Sequence, residues 1–334
     1  MSSALWPAGA VTGLGSLPGT DPVEAATLVL GELPELPHLP ELPNRGAGAD
    51  VIGRSAGLLV DLPVEIVPSG WRFAAHPGRD LRRALDFLSW DLDALENAAT
   101  GYAGALKVQA AGPWTLAAAL ELATGHKVAS DPGAVRDLAE SLTEGLRVHV
   151  AEVAKRVPGA QVVLQLDEPS LPAVLDGRIR TPSGYGTVRA VEAPVAEQVL
   201  RGVLAAAPEG ARVVHCCAAG VPITLLRDAG ADALAVDASQ LTPAQYDPLG
   251  EAMDAGMSLW FGVLPTTDAP ITLDTAREPI RRLWAELGFA RAELPLRLVP
   301  TPACGLAGAT PAYARRVLSV LRDTGAWLRD EDES

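Results

Sequence analysis

ARVVHCCAAGVPITLLRDAGADALAVD, residues 211–237, decides how this chain folds. An apolar run (211–217) leads into a short amphipathic segment that closes on Gly230, and a second apolar run (232–237) follows at once. Short continuous apolar runs separated by one helix-length segment mark parallel strands, buried on both faces and joined by a crossover helix. The alternation continues in both directions. ALKVQAAG (105–112), QVVLQLD (161–167), SLWFGV (258–263) and PLRLVPT (295–301) read as further strands. Segments of helical period occupy 131–157, 196–207, 243–256, 272–288 and 310–325. Asp131 and Pro132 are a helix start, and several helices close on a Gly just past their last apolar position.

The first hundred residues are less regular. AVTGLGS (10–16) followed by PVEAATLVLGEL (22–33) gives one more strand and helix. Two segments then compete to be the second strand, LPHLPELP (36–43) and GLLVDLPVEIV (57–67). Pro34, Pro37, Pro40 and Pro43 recur every third residue, which suits polyproline II and removes amide donors that a central strand needs. Pattern alone therefore favours 57–67. Either choice makes eight strands. Eight parallel strands with intervening helices in 334 residues predict the α/β class and a single (β/α)8 TIM barrel, one catalytic domain over residues 1–334. No internal repeat or Gly/Ser linker divides the chain, and the acidic RDEDES (329–334) reads as a solvated tail.

Composition narrows the function. The chain carries 27 Lys+Arg against 41 Asp+Glu, a net charge of −14, and no basic stripe, so nucleic acid is excluded as an expected partner. No uncharged apolar stretch reaches the roughly 20 residues of a membrane span, and MSSALWPAGAVTG lacks the cationic start of a signal peptide. A cytoplasmic protein is expected. Cys216, Cys217 and Cys304 are an odd count in a long chain, which argues for reduced thiols rather than a disulfide framework.

Active groups of such a barrel project from the C-terminal ends of its strands into one mouth. His215 and Cys217 end the 211–217 strand and share a face, with Cys216 turned into the core. Asp237 ends the next strand, and Cys304 follows 295–301. His215, Cys217, Asp237 and Cys304 thus form a thiolate-rich group of four from three strand ends, the donor set of Zn²⁺. Asp167 and Glu168 end the 161–167 strand on opposite faces, so they are no acid/base pair; one faces the mouth and the other the wall. In GLGSLPGT (13–20), backbone amides and Ser16 suit a small carboxylate better than a phosphate, since no GKS/T or complete GxGxxG is present. AAGPWTL (110–116) reads as a strand-to-helix turn. His38, His76, His126 and His149 have no partner at metal spacing.

These motifs, taken together, resemble the C-terminal catalytic barrel of cobalamin-independent methionine synthase, within the superfamily that includes uroporphyrinogen decarboxylase. VTGLGSLPGT resembles that family's TTIGSFPQT, VQAAGPWTL its GPVT segment and VLQLDEPSL its IQIDEPAL. VVHCC is similar to its His-x-Cys, ALAVD to VITIE and VPTPACGLAG to VNPDCGLKT. The similarity runs in order from about residue 10 to 325. It implies zinc on His215, Cys217, Asp237 and Cys304, and homocysteine bound by Gly15, Ser16, Glu41 and Asp167. It also moves the second strand to 36–43 and makes an excursion ribbon of the stretch near 57–75.

Three departures accompany the resemblance. Asp237 stands where the family has a Glu ligand, one methylene shorter. Thr267 stands where the family has a proton-donating His, with Asp268 as the stand-in acid. The N-terminal barrel of the full-length enzymes has no counterpart, which leaves the methyl donor open between methyltetrahydrofolate and a corrinoid (methylcobalamin), free or on a partner protein. The expected activity is zinc-dependent homocysteine S-methyltransferase. The alternatives are a corrinoid-dependent enzyme acting on another thiol such as coenzyme M, a zinc-free decarboxylase, and a non-catalytic zinc- or thiol-binding barrel. Ser16 and Asp167 oppose the first of these, and the absence of arginine from 13–20 opposes the second.

Overall fold

Eight strands are present among the described residues, 5–330, of the computed structural model. β1 (Val64–Val67) and β2 (Gly70–Phe73) pair antiparallel as a separate ribbon. The other six form one curled parallel sheet in sequence order: β3 (Gly104–Ala111), β4 (Ala160–Asp167), β5 (Arg212–Cys216), β6 (Ala233–Asp237), β7 (Ser258–Leu264) and β8 (Leu298–Pro302). Sequential order with parallel pairing requires a crossover after each strand. Helices supply it: Pro113–Ala119 and Pro132–Arg156 after β3, Leu171–Leu175 and Ala193–Leu204 after β4, Ile223–Asp228 after β5. Tyr246–Asp254 follows β6, Leu273–Leu287 follows β7, and Pro311–Arg329 follows β8.

Local chemistry sets these boundaries. Asp131 accepts from the amides of Gly133 (2.8 Å) and Ala134 (3.1 Å), and Pro132 opens the helix with its φ already set. Leu138, Leu142, Leu146, His149 and Val153 then form its buried stripe, so His149 is a core residue. Each fully buried leucine there stabilises the fold by roughly 1.5–3 kcal/mol. The 295–301 run becomes strand only at Leu298, because Leu294–Arg297 closes a helical turn.

Strand alternation separates two cores. Leu106, Val108, Leu164, Leu166, Val214, Cys216, Leu234, Val236, Leu259 and Phe261 face the helices. The concave face carries Ala105, Val163, Val213, Ala233, Ala235, Trp260 and Val299, closed below by Trp6, Ala10, Leu14 and Leu36. Trp6 packs edge-on against Trp260 with centroids 5.2 Å apart.

The strand that pattern alone puts at 57–67 is instead, from Val64 on, the first half of the ribbon, with Val64 opposite Phe73 and Val67 opposite Gly70. Segment 36–41 runs beside β3 despite its prolines. Leu39 N donates to Lys107 O (2.8 Å) and Lys107 N to Pro37 O (2.9 Å), so Pro37 contributes the carbonyl it still has. Glu41 N donates to Gly15 O (3.1 Å), Leu17 N to Glu41 O (2.9 Å) and Thr12 N to Pro300 O of β8 (3.3 Å). The pairings of 10–17 and 36–41 are isolated bridges, Ser16 with Glu41 and His38 with Lys107, where two full strands are expected. The acidic tail lies, beyond Asp330, outside the described residues. No helix of the described residues is long and apolar enough to cross a membrane.

Candidate metal and substrate site

At the C-terminal edge of the sheet, His215 stands on β5, Cys217 is the first residue past it, and Cys304 begins the turn after β8. One ligand atom from each lies within 4.8 Å of the others. The two sulfurs are 3.3 Å apart, although 87 positions separate them in the chain. His215 Nδ1 is 2.8 Å from Asp167 Oδ1 at the end of the neighbouring β4, and its Nε2 is buried with no hydrogen-bond partner among the described residues. A carboxylate on one ring nitrogen and a bare second nitrogen is the arrangement of a metal-ligating histidine.

The site's protons are coupled. A hydrogen bond from Cys217 lowers the Cys304 thiol to about 4, against the opposing effect of burial and with further help from His215. Cys217 moves up because it donates to Cys304 and is itself buried. The pair therefore holds one proton between two sulfurs. Burial opposes charge on His215, yet the Asp167 carboxylate and the Cys304 thiolate together raise it to about 9. Two soft sulfurs and one imidazole fit a borderline-soft ion such as zinc, with the three-ligand open geometry of catalytic sites.

The fourth expected ligand is not brought in. Asp237 Oδ1 accepts from Ser239 N at 2.8 Å, capping the turn after β6, and its oxygens are no part of the group. Asp268 is also engaged elsewhere. Its oxygens accept from Thr310 N (2.8 Å) and Thr310 Oγ1 (2.6 Å), which hold the carboxyl below its ordinary range. An ionised carboxylate at a helix start has no proton to give at neutral pH.

Gly15, Ser16 and Glu41 meet beside this edge. Gly15 has φ +123°, and a Cβ there would lie 2.9 Å from Gln109 Cγ, so the position needs glycine twice over. Ser16 O accepts from Leu306 N (2.8 Å), and a Cβ on Gly305 would fall 2.0 Å from Ser16 Oγ. The turn that presents Cys304 thus crosses directly over Ser16. Glu41 is buried, receives a hydrogen bond from Gln109 Nε2 (3.2 Å) and faces Arg54 Nε at 3.7 Å. Arg54 is itself buried and held by Asp91, which also pairs with Arg45 at 2.8 Å.

Asp167 and Glu168 separate as alternation requires. Glu168 turns to the wall, where Oε1 accepts from Trp114 N (2.9 Å) and Oε2 from Thr115 N and Oγ1 (both 2.8 Å). Other residues at the site escaped the sequence reading: Lys107, Gln109, Gln165, Arg54 and His38 are all buried around it. Their signal was available for three of them. Lys107 with Gln109, and Gln165 with Asp167, are polar residues two apart on one face of otherwise apolar strands.

The family model described as "Cobalamin-independent synthase, Catalytic domain" matches residues 10–326. A solved B12-independent methionine synthase from Shewanella sp. W3-18-1, in complex with selenomethionine, superposes with TM-score 0.61 at 15% identity, covering 98% of each chain. β-Methylaspartase from Clostridium tetanomorphum reaches only TM-score 0.46 at 10% identity, covering 98% of this chain and 59% of that one. A search of curated proteins finds no match.

Proposed function

This chain belongs to the cobalamin-independent methionine synthase family, and on that premise we propose that it moves a methyl group onto the thiol sulfur of homocysteine, forming methionine, at a zinc ion held by His215, Cys217 and Cys304. The observation that carries the reading is the convergence of those three donor atoms on a histidine already oriented by Asp167.

Zinc at this position supplies a Lewis acid that keeps the substrate thiol deprotonated near neutral pH. Asp167 holds the Nδ1 proton of His215, so the proton that a metal would displace is the one on Nε2. Cys304 is ready as thiolate, and Cys217 releases the proton the two sulfurs share. With Asp237 committed to its turn, three side chains would hold the metal, a donor set that suits a catalytic rather than a closed structural ion. Gly15 and Ser16 take the substrate carboxylate, and Glu41 and Asp167 its ammonium, which fixes the sulfur's approach. The sulfur then bonds the donor methyl carbon as the old bond to that carbon breaks. With methyltetrahydrofolate the electron pair passes to N5, which takes a proton. We assign methyltetrahydrofolate as the donor because the family is described as cobalamin-independent; the comparisons lend no support to a corrinoid partner.

The framework is read as a single (β/α)8 barrel in one domain. The hydrogen bonds of 10–17 and 36–41, between β8 and β3, support closure by a further two strands, with β1 and β2 an excursion before β3. A site that needs two reduced thiols suits the cytoplasm.

Purified protein is expected to carry stoichiometric zinc and to form methionine from homocysteine and methyltetrahydrofolate. Cys217→Ser and Cys304→Ser should each lose the metal, while Asp237→Ala keeps it. Metal content unmoved by both cysteine substitutions overturns the ligand set. Methionine formed from methylcobalamin alone reassigns the donor.

A further inference from the structure

The polar residues of the concave face form one connected chain of hydrogen bonds, and Lys107 is its centre. Lys107 has no exposed surface, and its Nζ donates to Gln109 Oε1 (3.2 Å) and Gln165 Oε1 (2.8 Å). An amide that accepts through its oxygen must turn its NH2 the other way. Gln109 Nε2 accordingly donates to Leu39 O (2.6 Å) and Glu41 Oε1 (3.2 Å). Gln165 Nε2 donates to Leu14 O (3.1 Å) and Asp167 Oδ1 (2.7 Å). One arm ends on Glu41, and the other continues through Asp167 to His215 Nδ1. Flipping either glutamine sets its NH2 against the ammonium and its oxygen against a carboxylate and a backbone carbonyl, so the ammonium and those acceptors favour one and the same orientation.

A buried ammonium is a costly way to fill space, and an apolar side chain of similar volume is often neutral or stabilising in its place. Here the ammonium bonds only neutral amides; burial pulls its pKa down to about 7, against the Asp167 and Glu41 carboxylates, which favour its charge. We infer that Lys107 is a positioning residue for homocysteine: by orienting Gln109 and Gln165 it sets the Glu41 and Asp167 carboxylates that receive the amino-acid end of the substrate. This inference rests on the substrate reading proposed above.

Lys107→Met removes the charge at nearly constant length, and Gln109→Leu and Gln165→Leu cut one arm each while leaving Lys107. The measurements are zinc content, KM for each substrate, kcat, and the thermal shift on adding homocysteine. Lys107→Met should keep wild-type zinc, raise KM for homocysteine by about 10- to 100-fold, the scale of a lost charge-assisted hydrogen bond, and leave KM for the methyl donor within about twofold. The homocysteine-induced thermal shift should shrink in parallel, and each glutamine variant should show a smaller rise in KM. A Lys107→Met protein that merely melts earlier, with wild-type KM for homocysteine, overturns the inference while methionine formation by the wild type keeps the substrate reading. Wild-type protein that forms no methionine removes both. Should Lys107→Met not fold, Gln165→Leu decides, and an unchanged KM there overturns the inference.

Discussion

At the scale of one residue, Glu41 is the group expected to give substrate binding its pH dependence. Burial pushes its carboxyl up to about 7, Arg54 opposes the rise, Asp167 adds to it, and Gln109 and Lys107 pull it down. Its charge is complete above that value and lost below it. If the carboxylate receives the homocysteine ammonium, KM for homocysteine should rise by up to about tenfold between pH 8 and pH 6, following the ionised fraction. Glu41→Gln should give a higher KM that is flat over the same window. An equally steep profile in the variant assigns the titration to another group. Glu41 was reachable in the sequence only through family resemblance, since nothing in LPHLPELP marks one residue as inward-facing. His215, Cys217 and Cys304 were legible from strand ends alone. Asp237 shared that signal and is nonetheless engaged by Ser239 N, because a carboxylate at a strand end also caps the next turn.

Single elements are tied together by carboxylates that carry no chemistry. Glu168 fastens the start of Pro113–Ala119 to the end of β4, and Gly112 is required there because a Cβ would come within 2.4 Å of Glu168 Oε1. Either orientation of a glutamine amide would aim its NH2 at a backbone donor. Glu168→Gln is therefore expected to cost about 1–3 kcal/mol at pH 8 while zinc content stays at the wild-type level. Denaturant titration with parallel metal analysis checks it, and a stability loss under about 0.5 kcal/mol would show that the clamp is dispensable. The two motifs around 112–115 and 167–169 thus form one joint, which neither segment discloses when read separately. The six parallel strands, the helix at 22–33 and the long helices from Pro132 onward were legible because caps and alternation are local, whereas the 20-residue helix Arg79–Ala98 went unread. Pattern alone misjudged the choice between 36–43 and 57–67, which only the family resemblance put right, since the prolines that weaken one as an isolated strand fall where their amides are not needed.

At the scale of the whole molecule, a metal held by His215, Cys217 and Cys304 would link its binding to the fold. His215 stands on β5 and Cys217 follows it, while Cys304 follows β8, so only the assembled sheet brings the three together. An ion that binds the native state alone adds about 4 kcal/mol at a thousandfold excess over its dissociation constant. Chelation should accordingly lower the thermal midpoint by several degrees; zinc should restore it, while magnesium, which takes oxygen ligands, should not. A midpoint indifferent to chelation of zinc-loaded protein would break the link. By itself the sequence determined the order of the six parallel strands, the inward face of each and the residues able to bind a soft metal, because alternation and end position are properties of adjacent residues. The tertiary structure alone decided that Asp237 stays with its turn and that Lys107 joins Glu41 to Asp167 through two glutamines. Each of those depends on which distant backbone or side chain arrives at hydrogen-bond distance, and curling the sheet sets that.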